Sequence, residues 1–197
     1  MTTRLYYIAA ALLLAAPQAS AQSALMSRDA QIAAAVAPLP EEFRAQAVVL
    51  GYVAGSQTLT ELRRGSGPFH CLADDPADER FHVACYHSSL EPFMARGRAL
   101  RAQGVTGAAV DSARFAEIKA GTLLMPTEPA ALYSLTVALT GVNAATGELT
   151  GARPLYVVYI PFATSELTGL PKTPAGNLPW LMFPGTPKAH IMFVPTM

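Results

Sequence analysis

The chain has 197 residues, 51% of them hydrophobic and only 14% charged, with 14 basic side chains against 14 acidic ones. Neutrality without a basic stripe argues against a nucleic-acid partner, and high hydrophobicity with no net charge argues against disorder. Sixteen prolines and 14 glycines point instead to a loop-rich globular fold with a large apolar content.

The first segment reads as an export signal. Arg4 gives a positive start, residues 6–16 form an apolar stretch, and Ala19-Ser20-Ala21 supplies the small residues of a cleavage site. The expected division is a signal peptide over 1–21 and a single domain over 22–197. The apolar run falls short of the roughly 20 residues that cross a bilayer, and no cysteine follows it to take a lipid. The expected location is therefore the periplasm or the exterior, with no membrane span in the mature chain.

An alanine-rich helix is expected over 28–37, stopped by Pro38-Leu39-Pro40, with a short second helix over 41–45. Residues 48–53 and 58–62 read as strands joined by a tight turn at Gly55-Ser56, and 69–72 with 81–86 as a second pair across the aspartate-rich turn 73–78. Ser88 and Glu91 have the spacing of a capping box for a helix that ends near Gly104, with Arg96, Arg98 and Arg101 on its wet side. A further helix is expected over 111–120, followed by apolar segments at 131–139, 155–160, 180–183 and 191–194. The run 155–160 is apolar on both faces, the mark of a central strand covered on both sides. Helices not regularly interleaved with hairpin-linked strands make the fold class α+β, a single domain with a mainly antiparallel sheet and a few helices packed on it.

The densest chemistry lies in 68–93, which holds both cysteines and three of the four histidines. In an exported chain Cys71 and Cys85 are expected to form a disulfide, closing a loop that stabilises by roughly 3 kcal/mol in the chain-entropy view. If they face each other across the hairpin, His70 opposes Tyr86, Phe69 opposes His87 and His82 opposes Asp74. His87 then shares the cysteine face, while His70 and His82 lie on the other, roughly 13 Å apart at ~3.3 Å per residue. The alternative is a zinc or copper site on Cys71, Cys85 and His87 with His190 or a methionine as a further ligand, or a reactive thiol with His70 or His82 as its base. The spacing matches no zinc signature. The acidic turn lacks the order of a calcium loop, and Ser134 and Ser165 stand in no hydrolase motif.

In the C-terminal run, Pro184-Gly185 fits the centre of a type II turn between two last strands. His190, Met182 and Met192 have the chemistry of a soft-metal site. Closing the hairpin with Phe183 opposite Lys188 separates Met182 from His190 onto different faces, so these residues are expected in the core.

The signal segment, FHCLADDP with FHVACYH, SLEPFM, and PWLMFPGTPKAHIM resemble a group of uncharacterised exported bacterial proteins, over most of the mature chain. The resemblance implies a bacterial source and an exported location, and brings no activity, cofactor or catalytic residue. The functional expectation is a non-enzymatic domain that binds a small or apolar ligand or serves a structural role, without a cofactor. The metal-binding or thiol-redox protein stands as the alternative, with His70, His82, His87 and His190 as possible ligand or metal residues.

Overall fold

A computed structural model describes residues 25–195; the expected signal peptide and its cleavage site lie outside them. Helices α1 (Arg28–Val36) and α2 (Glu41–Arg44) lead into β1 (Val48–Gly51), β2 (Thr60–Arg63), β3 (Phe69–Leu72) and β4 (Phe81–His87). Helices α3 (Glu91–Ala102) and α4 (Ala108–Lys119) follow, then β5 (Ala130–Val137), β6 (Arg153–Tyr159), α5 (Ser165–Thr168), β7 (Trp180–Met182) and β8 (His190–Phe193). The strands form one eight-stranded sheet in the order β2-β1-β3-β4-β5-β6-β8-β7, antiparallel except for β1 with β3. The α+β class and its single sheet are therefore as expected. Among the described residues no helix is long and apolar enough to cross a membrane.

The two faces of the sheet are covered at opposite ends. Helix α1 starts where Ser27 Oγ accepts the Ala30 N–H, and its small residues let it lie close to the sheet. Ala35 and Val36 pack with Val49, Cys71 and Cys85 in a core over β1, β3 and β4. Gln31 on the buried side of α1 is satisfied by bonding both the N–H and the carbonyl of Tyr52. On the opposite face, Leu90 and Met94 of the α3 region cover Tyr86, Val157 and Tyr159. Strand β6 is central, but only its Val157–Tyr159 side is buried; Tyr156 on the other side is 39% exposed. The expectation that both faces are covered fails because α1 extends over β1, β3 and β4 and not over β6.

Three local expectations change for physical reasons. The β1–β2 connection is a longer loop over 52–59 that contains the expected turn, closed by the Ser56 N–H on the Val53 carbonyl, because Tyr52 leaves the sheet to bond Gln31. The Ser88/Glu91 capping box does not form: Ser88–Leu90 is a 3₁₀ turn, His87 accepts the Ser89 N–H, and the Glu91 carboxylate turns toward Tyr86 and Arg98. Of the three arginines assigned to the wet face, Arg101 is exposed, whereas Arg98 grips Glu91 and Arg96 makes a two-pronged bond to Glu117 of α4.

The last hairpin is shifted by one residue. Thr186 N–H bonds Phe183 carbonyl around Pro184-Gly185, as a turn there requires, but the connection runs on to Ala189, whose N–H bonds Thr186. The loop is anchored on residues 162 and 163 through Phe162 N–H to Thr186 and Gly185 N–H to Ala163. Met182 consequently opposes His190, and Trp180 opposes Met192, so Met182 and His190 share a face after all.

Candidate functional site

The cystine hairpin has the register expected from the sequence: Phe69 opposes His87, His70 opposes Tyr86 and Cys71 opposes Cys85. The cysteines form a disulfide with Cα atoms 4.0 Å apart and lie fully buried under α1. Both sulfurs are thereby withdrawn from coordination. The ladder ends at Leu72, and beyond it Asp74 meets His82 through a side chain, its Oδ1 accepting the His82 backbone N–H at 2.6 Å.

The four histidines occupy four separate environments. His87 stands on the cysteine face, edge-on to Phe69 at 5.8 Å, with Nδ1 2.8 Å from Ser89 Oγ. His70 lies on the other face with Nδ1 3.3 Å from Glu91 Oε2. His82 places Nδ1 2.9 Å from Thr136 Oγ1. His190 holds Nδ1 2.7 Å from the Lys188 carbonyl and stacks 4.9 Å from Tyr159. Among the described residues no group of three or more His, Cys, Asp or Glu is placed to hold a metal.

Two charged networks escape a motif search. In the first, Tyr86 donates to Glu91 Oε2 at 2.5 Å while Arg98 donates to both the Tyr86 hydroxyl and Glu91 Oε1. Burial opposes the Glu91 charge, but His70, Tyr86 and Arg98 overcome it and hold the carboxyl down at about 2. In the second, Asp111 receives Arg114 from its own helix and Lys188 from the β7–β8 loop. Arg114 is almost wholly buried, bonds the Phe93 carbonyl and lies 3.7 Å above the Phe93 ring. It therefore joins α4 to α3. The Asp111–Lys188 bond joins residues distant in sequence, whereas Tyr86, Glu91 and Arg98 lie close together in the chain, where the Ser88–Glu91 spacing reads as a capping box.

The sequence reading also missed the cavity. Asp74 lines an apolar cavity of about 120 Å³ whose walls include Met26, Phe81, Leu139 and Val142. Burial, reinforced by Asp78 and Asp75 and opposed by the His82 N–H, pushes the Asp74 carboxyl up to about 7. Tyr52 beside it is pushed above the ordinary phenol value by burial and by Asp75. The acidic run 74–79 reads from sequence as a solvated turn, because nothing local shows that the 139–144 segment folds over its first residue.

Comparison of the chain with protein-family models, with curated proteins and with solved structures finds no match.

Proposed function

We propose that this is an exported binding module for a small, largely apolar molecule that carries one hydrogen-bond donor, held in the Asp74 cavity. The observation that carries this reading is the Asp74 carboxyl set among the apolar walls of the cavity, where burial pushes it up to about 7. Among the described residues only Oδ1 of Asp74 is engaged, by the His82 N–H, which leaves Oδ2 to receive a ligand's O–H or N–H. Few precisely placed polar groups in an apolar cavity are the usual composition of a small-molecule site. The volume sets the size, since a cavity of roughly 150 Å³ takes benzene. Export is supported by the N-terminal residues 4–21 and by the disulfide, which persists in oxidising compartments.

The test is NMR titration with benzyl alcohol, benzylamine and toluene. Saturable shifts at Met26, Phe81 and Leu139 are expected, tighter for the two donors than for toluene, and Asp74→Leu removes that preference. Absence of saturable shifts with all three compounds sinks the reading. Intact mass of protein exported without reductant tests the rest: the expected species begins near Gln22 and is lighter by two hydrogens. Two free thiols carrying zinc or copper would move the function to Cys71, Cys85 and His87.

A further inference from the structure

We propose that Met182, His190 and Met192, beside the Trp180 ring, form a binding site for one soft monovalent cation, Cu(I) or its stand-in Ag(I), on the β7–β8 hairpin. The register carries the placement, since the one-residue shift of this hairpin brings together residues that the expected pairing kept apart. Met182 opposes His190 and Trp180 opposes Met192, so the two strands set four side chains of one face into a square. Directly opposed residues have Cβ atoms about 5 Å apart, and the Met182–Met192 diagonal, about 7–8 Å, is within reach of long side chains. Methionine, unbranched and with three rotatable bonds, can turn its sulfur into such a gap. Met182 and Met192 are half-buried, so the square reaches solvent on the sulfur side.

Each member is prepared for the role. His190 is buried, and its Nδ1 lies 2.7 Å from the Lys188 carbonyl, which can only accept, so Nδ1 holds the proton and Nε2 keeps its lone pair. Among the described residues Nε2 enters no hydrogen bond, and a ring oriented through Nδ1–H on a backbone carbonyl is the usual form of a metal-binding histidine. Tyr159 and Phe183 pack on the ring with centroids at 4.9 and 5.7 Å and fix its plane. Trp180 is buried too, and its Nε1 finds no partner. A buried tryptophan usually places its N–H in a hydrogen bond, so what this one contributes is its ring, the best aromatic face for a cation. Met192 borders the core around Val157 and Tyr159, whereas Met182 is not among the side chains packed on the apolar clusters of the core.

Donor chemistry decides the ion. Two thioethers and a neutral imidazole carry no charge, and the cysteine sulfurs are tied up in the disulfide. Calcium and magnesium require oxygen ligands and zinc takes thiolate, imidazole or carboxylate, whereas thioether sulfur selects Cu(I). The surrounding charge points the same way. Lys188 turns its ammonium to Asp111 at 2.9 Å and over the Phe183 ring at 4.5 Å, and Arg114 donates to the same carboxylate. That carboxylate is already shared by two cations and is not at hand to balance a divalent ion. The site is independent of the Asp74 cavity, which none of these residues lines.

The experiment is titration of the oxidised whole domain with Ag(I) in chloride-free buffer, and with Cu(I) in competition with a colorimetric chelator. Trp180 is the single tryptophan of the chain, so its fluorescence reports on the site alone, and NMR of the methionine methyl groups reports on the sulfurs. The expected result is one ion per chain at micromolar affinity or tighter, with Trp180 quenched and the Met182 and Met192 methyls shifted while Met26 stays in place. Zn(II) should leave all of these signals unchanged. Met182→Leu and Met192→Leu, which nearly conserve volume, should each weaken Ag(I) at least about tenfold, and Met94→Leu should not. Where Met192→Leu loosens the core it borders, Met182→Leu still gives the answer. Absence of saturable binding by either ion overturns the proposal. So does binding that Met182→Leu leaves intact, which places the ion elsewhere, or Zn(II) binding as tight as that of Ag(I), which rejects the soft donor set.

Discussion

The Tyr86 hydroxyl donates to Glu91 Oε2 at 2.5 Å, tying the end of β4 to the first turn of α3 across a single corner of the chain. Tyr86 is buried and Glu91 is shared with Arg98, so the bond sits where loss of one partner leaves another polar group unmatched. Tyr86→Phe is expected to lower stability by about 1–3 kcal/mol, read from urea denaturation, while leaving the far-ultraviolet spectrum unchanged.

Glu91 also makes an acid-dependent contribution. Its folded carboxyl is held at about 2, below its ordinary value near 4.5. The stability it provides is complete above the unfolded pKa and is lost as pH falls through the folded one. Thermal midpoints should therefore drop between about pH 4.5 and pH 2, and Glu91→Gln should flatten that part of the profile. A variant whose acid limb matches the parent protein would exclude Glu91 as the source.

Asp74 acts with the opposite sign. A carboxyl raised to about 7 in the folded state destabilises progressively as pH rises from its unfolded value near 4, with the full effect present above 7. Asp74→Asn keeps an acceptor for the His82 N–H and removes the charge. It is expected to be more stable than the parent at pH 8, with the difference vanishing below about pH 4. Equal denaturation midpoints at pH 8 would contradict the burial of this carboxyl.

The cystine closes a loop of sequence separation 14. Replacing both cysteines by alanine should lower stability by about 3 kcal/mol from the opened loop, with a further loss from the packing of two fully buried side chains under α1. Denaturant midpoints of oxidised protein and of the double variant provide the comparison.

Two left-handed glycines should separate by their surroundings. Gly104 ends α3 at φ +83° with open space around its Cα, whereas a Cβ on Gly147 at φ +79° would lie 2.2 Å from the Ala30 carbonyl oxygen of α1. Gly104→Ala is expected to cost roughly 1–2 kcal/mol from backbone strain alone. Gly147→Ala carries the same strain and must also push α1 off the 147 loop, so it should cost several kcal/mol more or prevent folding. Similar midpoints for the two variants would show that this loop yields easily.

Local pattern was enough to place most elements and the cystine register. The FHCL and FHVACYH segments alternate strongly, and a side-chain period of two leaves one pairing that buries both cysteines together. The last hairpin misled by one residue because its loop is held by residues 162 and 163, a contact with no trace in the 180–193 pattern. The β6 run shows that apolarity on both faces marks a central strand without saying whether both faces are covered. Tyr156 is exposed because of where α1 stops, and α1 belongs to the other end of the chain. The same holds for chemistry. Cys71 and Cys85 were legible as a pair because proximity in a hairpin is local, whereas the Asp74 cavity and the Asp111–Lys188 bond join segments far apart in sequence. Tyr86, Glu91 and Arg98 are close in sequence, but the capping-box spacing of Ser88 and Glu91 hides the 3₁₀ turn Ser88–Leu90 that aims Glu91 at Tyr86, and with it their network. Burial and opposed charge shift a carboxyl only once distant segments close around it, so tertiary structure alone decided which acidic residues are perturbed and in which direction.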